Sequence, residues 1–173
     1  MRQKTFILKN HRKEQKEIEI KASFETTDNT IKASFEITGD ISNYIFNHPS
    51  RQTRKNELWK ETCFELFLAH KNSSEYYEAN ISPSTEWNFY NCSDYKTDMK
   101  EKKDIYAPLI SSVKMVDKYS ISFEFEFNAI LSNLSFNLCV ILLDKEGIRD
   151  FYSIHRKKEN VDFHDREYWS LLN

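Results

Sequence analysis

The chain has 173 residues, of which 39% are hydrophobic, 14% aromatic and 30% charged, with a net charge of −2. That is the length of one domain, residues 1–173, with enough apolar mass for a substantial core. The charge balance argues against a dedicated nucleic-acid binder, whose surface would be clearly basic. No stretch reaches the length of a membrane span, and Met1 to Lys16 is polar and basic rather than apolar, so a soluble, cytoplasmic protein is expected.

Thr5 to Lys9 reads as an opening strand, and His11 to Lys16 as a charged turn. The hexapeptide Ile20-Lys21-Ala22-Ser23-Phe24-Glu25 then recurs eleven residues later, beginning at Ile31. In each copy Ile, Ala and Phe alternate with Lys, Ser and Glu, so each copy has one buried and one wet face. Thr26 to Thr30 supplies the turn of an antiparallel hairpin. Nothing continues the period, so a solenoid is not indicated. Asp40 to Asn56 is a long irregular segment containing His48-Pro49, Arg51, Arg54 and Lys55, a candidate binding loop or a solvated one.

Thr62 to Ala69 alternates, with Phe64, Leu66 and Leu68 on one side and Cys63, Glu65 and Phe67 on the other. Tyr76 to Ser82 places Tyr77, Ala79 and Ile81 opposite Tyr76, Glu78 and Asn80, and a third strand follows from Trp87. Consecutive antiparallel strands would therefore bring Glu65, Glu78 and Asn80 onto one half-polar face. Tyr95 to Tyr106 is charged and loop-like. Strands are expected at Leu109 to Val116 and Tyr119 to Phe127, the latter with Ile121, Phe123, Phe125 and Phe127 on its buried face. Asn128 to Asn133 reads as a short helical or turn connection, and Phe136 to Leu143 as a central strand buried on both faces. A hairpin turn at Asp144 to Gly147 leads into Arg149 to Ile154, and the chain closes with a charged loop and a strand at Tyr168 to Leu172. Roughly ten short strands with little helical periodicity indicate an all-β fold, an antiparallel β-sandwich in preference to a barrel.

The two glycines stand alone, which excludes a P-loop or a dinucleotide fingerprint. Three cysteines without a CxxC pair fit reduced thiols and no structural zinc; Cys63 and Cys139 are expected to be buried, Cys92 more exposed.

The block Leu58-Trp59-Lys60-Glu61-Thr62-Cys63-Phe64-Glu65-Leu66-Phe67-Leu68 resembles the DOMON-like β-sandwich domains, a group related to family-nine carbohydrate-binding modules. The resemblance continues through Tyr77 to Ser84, Trp87-Asn88 and Tyr90, and returns at His155, Asp162-Phe163-His164 and Trp169. It implies an immunoglobulin-like or jelly-roll sandwich that binds sugars between aromatic rings; more distant relatives hold b-type haem through Met and His. The ligand-binding set it suggests is Trp59, Glu65, Glu78, Asn80, Trp87, Tyr90, His155, His164 and Trp169.

Flat rings would stack on the CH faces of a sugar while carboxylates and amides meet its hydroxyls. The competing structural reading makes the tryptophans core packing and the glutamates cross-strand contacts. Glu65 and Glu78 also permit a glycosidase reading. His155, Asp162, His164 and Asp165 could orient an acid–base group or pin the last loop, and Met99 with His155 or His164 could ligate haem. The expectation is a non-catalytic module for a carbohydrate or similar polar ligand, without cofactor or metal; an enzyme using Glu65 and Glu78, a b-type haem-binding domain and a purely structural or interaction domain are the alternatives.

Overall fold

The repeated hexapeptide forms the centre of a five-stranded antiparallel sheet. In the computed structural model, which describes residues 1–12, 17–127, 133–157 and 160–172, this sheet runs β1 (Arg2–Ile7), β3 (Ile18–Thr26), β4 (Thr30–Gly39), β10 (Lys118–Glu126), β9 (Leu109–Lys114). Ala22 pairs with Phe35 and Phe24 with Ala33, so the two copies set large side chains beside small ones on the inner face. That complementarity lets the sheet pack tightly without overcrowding.

The second antiparallel sheet runs β2 (Lys9–Asn10), β12 (Arg149–Ser153), β11 (Leu134–Leu143), β5 (Cys63–His70), β6 (Tyr76–Ile81), β7 (Trp87–Cys92), β8 (Lys100–Glu101). A final strand, β13 (Ser170–Leu172), follows β12 along the same side of β11. The thirteen strands among the described residues include two of only two residues, β2 and β8, which lie in stretches that read as a strand end and a loop. The expected connection at Asn128 to Asn133 falls almost wholly outside the described residues, as does most of the turn after Arg12.

Aromatic contacts join the sheets. Phe24 meets Phe136 with ring centroids 4.4 Å apart, Phe35 meets Phe64 at 5.3 Å, and Phe89 meets Phe125 at 5.0 Å. Phe123, Phe125, Leu138, Val140 and Leu142 are all buried, as their strand parity requires. The irregular segment after β4 is packed into this core rather than free: Ile41, Tyr44 and Phe46 are buried, Phe46 stacks on Tyr119 at 4.3 Å, and the Tyr44 hydroxyl donates to Asp150. Gly39, at φ 113°, ends β4 where a Cβ would lie 2.1 Å from the Glu17 carbonyl oxygen.

The outer face of the eight-stranded sheet holds a second buried cluster, with Cys63, Phe67, Tyr76, Cys92, Cys139, Ile141, Phe163 and Trp169. Cys92 is thus buried, contrary to the expected exposure, because β7 turns it toward the same side as Tyr76, its cross-strand partner. Phe125→Ala should cost about 3–5 kcal/mol in denaturant unfolding, and Gly39→Ala more than about 1 kcal/mol, since a side chain there must take both a left-handed φ and a backbone clash. An effect of Phe125→Ala below about 1 kcal/mol would mean that this strand does not pack as described.

Candidate binding cavity on the outer face of the eight-stranded sheet

Cross-strand register assembles the polar set. Glu65 lies opposite Asn80 and Asn80 opposite Asn88; in the next row Phe67 lies opposite Glu78 and Glu78 opposite Tyr90. Glu65 and Glu78 are therefore diagonal neighbours on one face. Above them is a cavity of about 400 Å³, within the range of small-ligand pockets. Its floor includes Glu65, Glu78, Phe67 and Ile141; Trp59, Phe151, Phe163 and Val161 form apolar walls; Lys96, Met99, Asp162 and His164 complete it.

Two segments roof this floor. A 3-10 turn at Leu58–Lys60, entered through Glu57 at φ 62°, buries Leu58 and leaves Trp59 half-buried in an edge-to-face contact with Tyr90, ring centroids 5.9 Å apart. The loop from Val161 to Trp169 closes the other side. Asp162 accepts the backbone N–H of His164 and forms an ion pair with Lys96 at 3.0 Å, while Trp169 Nε1 donates to the Phe163 carbonyl at 2.8 Å. Arg166 donates to the carbonyls of His70, the last residue of β5, and of Ser73 just beyond it. Each of these satisfies backbone or charged groups that the roof would otherwise bury unpaired.

Burial sets the protonation of the floor. Desolvation pushes Glu78 up to about 7, opposed by the hydrogen bond that its Oε1 accepts from Asn80 at 2.9 Å. Desolvation, reinforced by the neighbouring Glu78, holds Glu65 well above the usual carboxylate range. His164 is lowered to about 4, first by burial and then by Lys96, so it is neutral at pH 7. The Tyr76 hydroxyl accepts from the Lys96 N–H at 3.2 Å and lies 2.7 Å from His164 Nδ1. We assign the Tyr76 proton to that second contact, which leaves the imidazole proton on Nε2, 4.0 Å from Glu78 Oε2. Oε2 has no hydrogen-bond partner among the described residues.

The structure gathers Trp59, Glu65, Glu78 and His164 around the cavity. Asn80, Tyr90 and Trp169 belong to the same face but stand behind the lining: Asn80 orients Glu78, Tyr90 bonds Asn56, and Trp169 packs on Tyr76 and Phe67. Two expected residues lie elsewhere. Trp87 faces the inter-sheet core against Phe125, with the Arg54 guanidinium 4.1 Å above its ring. Arg54 also donates to Asn88 and to the carbonyls of Lys102 and Ile105, so it anchors the fold and is not free for an anionic ligand. His155 is exposed and does not line the cavity, and among the expected haem partners only Met99 and His164 share it. No group of three or more metal-binding side chains occurs among the described residues. Phe151, Phe163, Ile141 and Lys96 were not expected in the lining; Phe163 lies in the Asp162-Phe163-His164 stretch that carries the resemblance, while the other three carry no local signal beyond their apolar or charged type.

A second concavity, about 380 Å³, lies on the outer face of the five-stranded sheet and is floored by Ser23, Ser34 and Ser122. It contains no tryptophan or tyrosine and no buried ionisable group.

The sign of the Glu78 shift gives a test. Between pH 4.5 and about 7 the unfolded chain releases this proton while the folded protein retains it, so stability falls as pH rises across that window. Glu78→Gln cannot titrate. In thermal unfolding at a series of pH values, its melting temperature relative to the parent should rise from pH 4.5 to about 7 and then level off; parallel curves would show that Glu78 is not desolvated as described.

No protein-family profile and no curated protein sequence matches the chain. Solved structures do. The chain is similar to a Bacteroides uniformis protein inferred to bind carbohydrate, at 10% identity and a TM-score of 0.69, covering 98% of this chain and 85% of that one. It is similar also to a family-nine carbohydrate-binding module from Caldicellulosiruptor kristjanssonii in complex with glucose, at 13% identity and a TM-score of 0.58, covering 96% and 82%. A complex of such a module from that organism with cellotriose matches at 13% identity and a TM-score of 0.53, covering 95% and 77%. At these identities the likeness concerns the fold: this chain has the β-sandwich fold of family-nine carbohydrate-binding modules.

Proposed function

We propose that the protein is a non-catalytic carbohydrate-binding module and that the cavity above Glu65 and Glu78 is its binding site. The observation that carries this reading is the combination of a half-buried indole, Trp59, at the wall of a mainly apolar cavity with a buried oxygen, Glu78 Oε2, in its floor that has no hydrogen-bond partner among the described residues. A sugar ring offers apolar CH faces to the indole and hydroxyl donors to the carboxyl group. A hydroxyl placed between His164 Nε2 and Glu78 Oε2 would complete the 4.0 Å gap. The folds that this chain shares belong to modules solved with glucose and cellotriose, which supports the same ligand class.

A glycosidase fits less well. Its two carboxyl groups flank the scissile bond, and one must be ionised while the other is protonated. Here both rise from the same floor, on adjacent strands, and do not face each other across the cavity.

Titration with glucosides and cello-oligosaccharides should change the tryptophan fluorescence. Trp59→Ala should weaken binding by at least about tenfold with the fold intact, whereas Trp87→Ala should lower the melting temperature, since that ring is in the core. A broad glycan screen without binding, or an affinity unaltered by Trp59→Ala, would sink this reading.

A further inference from the structure

The floor of the cavity carries acidic groups that the described residues leave without a countercharge. Glu78 Oε2 is buried and has no hydrogen-bond partner among them. The titratable groups facing Glu78 are Glu65 and Cys63 on β5, Tyr76 on its own strand, Tyr90 and Cys92 on β7, Cys139 on β11, and His164 from the roofing loop. None of them is a cation at neutral pH, since burial holds the imidazole neutral and the others are acids. Lys96 is the cation that lines the cavity, and it is half-exposed and paired with Asp162 at 3.0 Å. The walls add Trp59, Phe151 and Phe163, whose ring faces attract positive charge.

A neutral hydroxyl can donate one hydrogen bond to Glu78 but cannot balance a buried carboxylate. A primary ammonium group carried on a sugar ring supplies both the charge and three donors. Building on the carbohydrate reading above, we infer that the site selects an amino sugar over the matching neutral sugar, with the ammonium group against Glu78 and Glu65. The ligand class is then a hexosamine with a free amine, and acetylation of that amine removes the feature recognised.

Calorimetric titration at about pH 6.5, where an amine of this kind is charged, compares methyl glucosaminide, methyl glucoside and butylammonium. The glucosaminide should bind at least about tenfold more tightly than the glucoside, as expected for charge-assisted contacts. Its binding should release protons, because a nearby cation pulls Glu78 below its free value of about 7; the glucoside should release none. Proton release is read by repeating the titration in buffers of different ionisation enthalpy. Glu78→Gln should abolish the release and reduce the preference to within about threefold; if that variant does not fold, Glu65→Gln, which leaves Glu78 to release its proton, should still reduce the preference. Equal or tighter binding of the glucoside by the parent protein overturns the amine preference and leaves the carbohydrate reading standing. Failure of both glycosides to bind overturns the amino-sugar assignment, and the glycan screen above then decides the carbohydrate reading. Butylammonium binding as tightly as the glucosaminide overturns the assignment to a sugar.

Discussion

The pairing of β5 with β6 is the constraint on which both the core and the cavity depend. With Glu65 opposite Asn80 and Leu66 opposite Ala79, every apolar residue of the two strands that belongs between the sheets points there, and every carboxyl group points outward. A slip of β6 by one residue against β5 would turn Glu78 into the inter-sheet core and put Tyr77, Ala79 and Ile81 on the outer face. The register that protects the core therefore also places Glu65 and Glu78 diagonally on the outer face. Core stability and site geometry are not independent in this molecule.

That outer face is neither a free surface nor a conventional core. Phe67, Tyr76, Ile141 and the three cysteines make it too apolar to leave in water, and Glu65 and Glu78 make it too polar to seal without cost. The loop from Val161 to Trp169 resolves the conflict by covering the apolar half and leaving a cavity over the acidic half. Arg166 ties this loop to the end of β5, and Trp169 and Asn137 both donate to the Phe163 carbonyl, so the roof is held by hydrogen bonds and by its own aromatic packing. Desolvation beneath that roof is what raises both carboxyl groups and lowers His164. The unusual protonation of the floor follows first from burial, with Glu78 adding to the shift of Glu65 and Lys96 to that of His164.

The polar groups behind the lining have a different task. Asn88 joins Arg54, Asn56 and Glu101, and Tyr90 donates to Asn56, so the edge of the sheet near β7 and β8 is tied to the end of the long irregular segment. Arg54 lying over Trp87 seals the same edge of the inter-sheet core. This accounts for two residues whose types suggested binding but whose positions serve the fold.

The alternation of Phe64 to Leu68, of the repeated hexapeptide and of Ile121 to Phe127 determined the β-sandwich and the buried face of each of these strands, because period-two patterning fixes which side chains share a face before any partner is known. It also determined that Glu65, Glu78 and Asn80 would share a face once their strands paired. For Trp87 the resemblance suggested a ligand contact; the pairing that sets it opposite Ile81 places it instead between the sheets. Alternation could not say that the outer face would be roofed. That depended on a loop about a hundred residues downstream of β5, whose Phe163 and His164 reach the cavity only after β11 and β13 pair. The short strands β2 and β8 were likewise invisible, since two residues carry no period and pair only because a neighbouring edge is offered to them. Local pattern assigns faces; which faces meet water, another sheet or a loop is decided by long-range contacts, and so the core was largely legible in the sequence while the cavity belongs to the tertiary structure.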